Sequence, residues 1–396
     1  MLIQLIGVLS GIFIVRMLPT TEYAFYTIAN TVLGTMTALG DAGISTGMMA
    51  QGGKVWNQKQ ELGRILATGL HMRRKFGLFS LIATLPFLFY LLLKNGAEAW
   101  VIALIAVSII PTFYAQLTNS LLQVILKLHQ DVYALQRNTL YVSLGRLGLI
   151  GILWFAPLSF IALLVTAIPR LLGNFRLKKI AGNFVALDHK PSPQYRRELL
   201  KVVKRVMPGN IYNALSSNII VFIISVFGST SNVAEVGALG RLVVIFTVLS
   251  MILNILVIPR YAKLPSNKTV LSKYMFYFIA VLTVVLSVIL GIVYFFPEPI
   301  LWVLGPKYSG LSQELFLIML GAALSMFSGS LYTLMSNRGI IPNPFYFFPY
   351  ILVIQIITLF FLDLSVVNEV LYFGIIPPVA GIVYRLIYFN ITINRV

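Results

Sequence analysis

Twelve apolar stretches, each close to the length of one bilayer crossing, alternate with short polar breaks along the whole chain. They run at about 2–18, 23–50, 76–93, 100–126, 138–155, 158–173, 207–228, 235–258, 273–296, 311–335, 346–362 and 369–389. A helix needs roughly 20 residues to cross a ~30 Å hydrocarbon core. With the N-terminus inside and twelve crossings, the inside loops hold 25 of the 30 Lys and Arg residues. Ten of these fall in 170–206 and six in 51–75, and the last group pairs Arg385 with Arg395. The outside loops hold only Arg16, Lys94 and Lys307, and two cations, Arg146 and Arg241, lie within spans. This partition is the positive-inside rule, and missing a single helix would scramble it. The chain reads as a multi-pass plasma-membrane protein with cytoplasmic N- and C-termini.

Composition supports that class. At 58% hydrophobic and 11% charged residues, a soluble globule would have nowhere to hide its apolar segments. A net charge of +18 invites a nucleic-acid reading, but the cations are dispersed over inside loops, where they orient the chain and touch anionic lipids. No nucleic-acid partner is expected. The chain has no cysteine, which excludes disulfides and thiolate chemistry. The first segment lacks a basic lead and is followed by Arg16 and Pro19, so it reads as a span and not as a signal peptide.

The longest polar stretch, 174–206, divides the chain into 1–173 and 207–396, with six spans in each. The halves share features. The second span of each begins near an acidic residue (Glu22, Glu235), and the fourth carries a polar stripe: Thr112, Gln116, Asn119 and Gln123 in one, Ser325, Ser328, Tyr332 and Ser336 in the other. Six is even, so the repeat is parallel, with its axis along the membrane normal. Within the linker, Tyr195, Leu199, Val202 and Val206 form one face, opposite Arg196, Arg197, Lys201, Lys204 and Arg205. That pattern predicts an amphipathic helix in the inner interface, facing anionic lipids.

Enzyme constellations are absent. His71, His129 and His189 sit in separate loops, and Gly52-Gly53-Lys54 lacks the spacing of a phosphate loop. No metal or organic cofactor is expected. The spans instead carry polar faces: Thr27, Asn30, Thr37, Asp41 and Ser45 with Gly34; Thr139, Ser143 and Arg146; Asn210, Asn213 and Ser217; and Arg241, Thr247, Ser250 and Asn254. Single polar residues commonly join helices in lipid, but stripes on four helices imply a hydrated cavity between the halves. An ionised group at mid-bilayer costs about 2.5–3.5 kcal/mol and must face a cavity or a partner. Arg146 and Arg241 lie roughly 12 Å and 9 Å from their nearest span ends. Their alternative is an internal ion pair with Asp41 or Glu235. Arg16, Arg170 and Arg385 are close enough to span ends to snorkel. Pro86, Pro111, Pro349 and the pair Pro377-Pro378 lie inside spans and predict kinks.

Several segments resemble a known family. Val15-Arg-Met-Leu-Pro-Thr-Thr-Glu-Tyr-Ala-Phe-Tyr followed by Leu39-Gly-Asp-Ala-Gly43, then Val233-Ala-Glu-Val-Gly-Ala-Leu-Gly-Arg-Leu242, Ile258-Pro-Arg-Tyr-Ala262 and Leu304-Gly-Pro-Lys-Tyr308, are similar to bacterial oligosaccharide flippases. These are the polysaccharide-biosynthesis transporters of the multidrug/oligosaccharidyl-lipid/polysaccharide exporter superfamily. The resemblance implies an all-α integral membrane fold, with twelve transmembrane helices in two six-helix lobes forming a V. It implies alternating-access export of undecaprenyl-pyrophosphate-linked repeat units across the inner membrane, for O-antigen, capsule or exopolysaccharide. An H+ or Na+ gradient and partner polysaccharide-assembly membrane proteins are implied as well. One departure is the start of the first span at Leu2, where family members usually have a longer lead.

On this reading Arg146 and Arg241 engage pyrophosphate or acidic sugars. Asn30, Gln116, Asn119, Asn213 and Asn254 supply hydrogen bonds to hydroxyls, and Asp41 is a coupling site or a counter-charge. The rival is an ion-coupled multidrug or metabolite antiporter of the same superfamily, which would want more carboxylates than Asp41. A membrane glycosyl-polymerase or ligase would want longer outer loops.

Overall fold

In the computed structural model, which describes residues 2–187, 189–265 and 267–393, the chain is helical with no strand among the described residues. Arg395, one of the inside cations, lies outside them. Twelve helical runs coincide with the twelve apolar stretches. Five are single helices: Lys59–Lys94, Ala99–Leu128, Ser159–Ala181, Lys268–Phe295 and Ser312–Ser336. Leu2–Met17 and Pro344–Phe361 are shorter single helices, and Val132–Ile150 ends in a 3-10 turn, Gly151–Trp154. The remaining four are broken: Thr20–Asp41 with Ile44–Gly52, Pro193–Ser216 with Ile219–Phe227, Thr230–Ala262, and Val367–Ile393.

Eight of the described helices are long and apolar enough to cross a membrane alone, and the pair bent by 50° around 217–218 makes a ninth. Only 17% of the apolar window of Lys268–Phe295 is buried within the chain, and 11% of that of Thr230–Ala262. Apolar surface on that scale needs an apolar solvent, and hydrocarbon supplies it. This is a multi-pass membrane protein.

Contacts divide the chain into Met1–Val226 and Phe227–Val396. The helix Pro193–Ser216, foreseen as an interfacial linker, packs within the first unit. Its Leu199 and Val203 are fully buried against Ile44, Met48, Leu62 and Ile125. The apolar face expected against lipid is therefore turned onto protein, while Arg196, Arg197, Lys201, Lys204 and Arg205 stay exposed. Tyr195 fixes the register by donating to Glu61 Oε2 at 2.7 Å.

Prolines act differently by position. Helices continue through Pro86, Pro111 and Pro349. Pro377 and Pro378 sit at the start of Ile376–Ile393, just after the break that follows Val367–Tyr372. Two adjacent prolines lose two N–H donors, so they are tolerated in a first turn, where those donors have no helical partner. In the second unit Ser312–Ser336 is central, and Gly321 lets it approach the Gly374 backbone, whose carbonyl would lie 3.0 Å from an added Cβ.

Candidate functional site

The second span breaks directly after its only carboxylate in mid-run. Thr20–Asp41 ends with Ala42 (φ 46°) and Gly43 (φ 90°) in the left-handed region, and the helix resumes at Ile44. Left-handed backbone favours glycine. At Gly43 space enforces the same choice, because an added Cβ would sit 2.2 Å from Val206 Cγ2. Gly43→Ala should cost about 1–3 kcal/mol from strain alone. A thermal melt of the purified variant checks this, and Val206→Ala should restore only part of the loss, since the backbone strain remains.

Beside the break, Asp41 Oδ1 caps the new helix, accepting the Ser45 N–H at 3.3 Å and the Ser45 hydroxyl at 2.8 Å. The same carboxylate pairs with Arg73, whose side chain is 3% exposed. Arg73 also donates to Ser45 Oγ (2.9 Å), to Ser120 Oγ (2.7 Å) and to the Leu117 carbonyl. One guanidinium thus ties the second, third and fourth spans. From sequence, Arg146 or Arg241 is the expected partner of Asp41 and Arg73 falls in a polar inside stretch, 51–75. Arg73 is instead on the buried face of the 36-residue helix Lys59–Lys94. That helix is about 54 Å long and outruns any bilayer core.

The polar stripe above the break is where the burial of this helix opens. Asn30 and Gly34 are exposed between buried neighbours. Thr37 donates to Gln116 Oε1 at 3.0 Å. On the fourth span Gln123 donates to Asn119 (2.6 Å), Asn119 donates to Asn174 (2.9 Å), and Asn174 donates to the Ala115 carbonyl (2.8 Å). Gln116 and Asn119 therefore spend hydrogen bonds on neighbouring helices, as membrane helices often do. Asn213 is exposed on Pro193–Ser216, and the exposed Asn254 donates to its own helix at Ser250 O (2.7 Å).

Arg146, half-buried on Val132–Ile150, lies near Arg170 of the adjacent helix, and Tyr26 stands close to Arg170. Two like charges are thus neighbours within the first unit. Arg170 was foreseen as a snorkelling residue, but Pro169 packs against Gly145 and brings this turn onto the fifth span. Glu22 serves the same unit by accepting the Ser159 N–H at 2.7 Å, at the start of the sixth span.

In the second unit Arg241 sits in the break between Thr230–Leu239 and Val244–Leu256. Arg385 is the other intraspan cation there. It donates to Ser328 and lies 4.8 Å from the Phe347 ring centre and 5.6 Å from that of Tyr332. The Phe347 ring belongs to a cluster in which Tyr384 meets Phe347 at 5.3 Å and Tyr350 at 5.2 Å. Arg385 too was foreseen at the membrane edge. Among the described residues no group of three or more His, Asp or Glu is placed to hold a metal ion.

Solved structures share this architecture. An inward-facing multidrug resistance MATE family transporter of the MOP superfamily superposes with a TM-score of 0.73 over 99% of this chain and 95% of its own, at 15% identity. The chain has the fold of the MOP-superfamily transporters. A Vibrio cholerae MATE transporter matches at TM-score 0.61 and 16% identity, over 98% of this chain and 92% of that one. A MOP-superfamily transporter from Pyrococcus furiosus, described as having a binding pocket of reversed polarity, matches at TM-score 0.61 and 15% identity, over 99% and 92%. No protein-family model and no curated protein matches the sequence.

Within this MOP-type fold, Arg73 is the buried ion-pairing residue of the first unit that hydropathy alone hides in a loop. A signal for Arg73 was present. Leu62, Leu66, Gly69, Arg73, Gly77, Ser80 and Thr84 recur at helical spacing as one buried face, which runs through the presumed loop without interruption.

Proposed function

We propose that the protein is an inner-membrane flippase for an anionic, lipid-linked oligosaccharide, serving surface polysaccharide assembly by alternating access. One observation carries this reading. The charges deeper inside the spans are cationic in both units (Arg146 with Arg170, then Arg241 and Arg385), the carboxylates Glu235, Glu314 and Glu369 lie near the starts of their spans, and that of Asp41 is already neutralised by Arg73. Arginine suits pyrophosphate, because its planar fork bonds two phosphate oxygens at once. The exposed amides of Asn30, Asn213 and Asn254 suit sugar hydroxyls, while Gln116 and Asn119 serve more as supports. An H+ or Na+ gradient would drive the cycle, and other polysaccharide-assembly proteins would receive the product.

The decisive measurement uses a deletion strain. Undecaprenyl-pyrophosphate-linked repeat units should accumulate on the cytoplasmic face and clear when the gene is restored. Unchanged glycolipid distribution would sink the reading. A second reading, an ion-coupled multidrug or metabolite antiporter, is favoured by the multidrug resistance transporter among the solved neighbours, which at 15–17% identity share the fold alone. Purified protein in proteoliposomes separates the two: gradient-driven movement of a cationic dye supports the antiporter, and movement of a pyrophosphate-linked glycan supports the flippase.

The orientation belongs to the same proposal. Cysteines introduced at Gln60, Gln130, Lys190, Pro265 and Ile340 should label from the cytoplasm, and those at Gly96, Thr230, Gly305 and Ser365 from outside. One well-expressed central site with the opposite label would overturn the twelve-span phase.

A further inference from the structure

A groove of about 510 Å³ opens between the fifth and sixth spans, at the end of the first unit that holds residues 131 and 181. It is lined by Arg137, Arg176 and Lys179 with a single carboxylate, Asp131, and with Tyr133. That carboxylate is engaged, since it caps its own helix by accepting the Ala134 N–H at 3.0 Å. Two of the cations converge on one ring: Arg176 lies 4.2 Å and Arg137 5.8 Å from the centre of Tyr141. Tyr141 thus holds two guanidiniums side by side against their mutual repulsion. Arg137 also hydrogen-bonds Tyr141 and Tyr133, and Arg176 hydrogen-bonds Tyr141; each guanidinium has five donors, so further N–H groups remain to meet an anion.

The surface running on from the cations is apolar. Leu144 follows Tyr141 by one turn, Leu172 and Ile168 precede Arg176 at helical spacing, and all three are exposed, Leu172 at 65%. Val142 and Asn138 against Gly173, with Pro169 against Gly145, lock the two helices antiparallel, so these side chains continue the cationic patch in one direction. A phosphate pocket at the polar end of a helix pair, continuous with an exposed apolar track, matches the two parts of a phospholipid. A soluble phosphate would use only the first.

We infer that this groove is a binding site for an anionic phospholipid of the surrounding bilayer, with its phosphate held by Arg137, Arg176 and Lys179 and its acyl chains along Leu144, Leu172 and Ile168. The site is separate from Arg146 and Arg170 and stands whatever solute is transported. Its role is to anchor the fifth and sixth helices to one leaflet by a specific lipid.

The test uses purified full-length protein, stripped of lipid and titrated with phosphatidylglycerol or phosphatidylcholine, with bound lipid counted by native mass spectrometry. Phosphatidylglycerol should be retained in preference to phosphatidylcholine. Each basic residue near a membrane surface contributes about fivefold, so Arg137→Ala/Arg176→Ala/Lys179→Ala together should weaken retention roughly a hundredfold. Neutralising Arg196, Arg197 and Lys201 on the exposed face of Pro193–Ser216 should leave it unchanged. Should the triple variant elute as aggregate, Arg176→Gln is scored alone, with about a fivefold loss expected. Wild-type retention in a folded variant overturns the site. Protection from thermal unfolding by inorganic pyrophosphate, with no preference between the two lipids, overturns the lipid assignment.

Discussion

Arg73→Leu should sharply destabilise the first unit and lower the protein's abundance in the membrane. The substitution leaves Asp41 half-sunk beside a helix break without its cation, and removes the group that joins Ser45, Ser120 and the Leu117 carbonyl. Breaking one side of a buried pair costs about 3–5 kcal/mol. For a unit of this size that corresponds to a fall of about 10 °C or more in melting temperature. Asp41→Asn should be similarly destabilising, since it strands the guanidinium, though the amide oxygen can still cap Ser45. The double variant Asp41→Asn/Arg73→Gln should lose much less than the sum of the singles, because no bare charge remains. Detergent melting curves of the three variants give the coupling directly. Asp41 acting as a proton or cation site predicts the opposite pattern: a stable Asp41→Asn protein whose gradient-driven transport has stopped. A stable and fully active Asn variant would remove both roles.

Arg146→Ala and Arg170→Ala should each cut transport about ten- to hundredfold, the loss of one charge-assisted hydrogen bond to substrate. Membrane abundance should stay near wild type, because each removal relieves the repulsion between the two guanidiniums. Lysine at either position should rescue only part of the activity, since it keeps the charge and loses the fork. Export assays normalised to protein abundance measure this. Normal export by both alanine variants would show that these arginines serve packing. In the second unit Arg241→Ala is the matching test, and Arg385→Ala is a contrast. Arg385 holds Ser328 and faces Phe347 and Tyr332, so its loss should appear in stability as well as activity.

The twelve helical runs were legible in the residues because hydrocarbon is an unforgiving solvent. It requires a stretch of near-constant length for each crossing, and the distribution of Lys and Arg carries the phase of the crossings. The Asn and Gln stripe of the fourth span was legible as a stripe for the same reason, since helical spacing alone puts Gln116, Asn119 and Gln123 on one side. What those side chains hold was not legible. Asn119 meets Asn174 from 55 positions away, and Arg73 meets Asp41 across 32. Pairings at such distances depend on which helices become neighbours, and periodicity says nothing of that.

The second span follows the same division. Its apolar run 23–50 reads as one continuous crossing, and only the structure shows the break at Ala42-Gly43, where Val206 leaves room for no side chain at position 43. Hydropathy placed Arg170 and Arg385 at the membrane edge by counting residues to the end of a run. Tertiary packing drew both inward, one toward Arg146 and the other onto Ser328, because a long cationic side chain settles wherever neighbouring helices offer it partners. Local sequence determines how many helical runs form and where they lie along the chain; only the packing of those runs decides where they break and which charges meet.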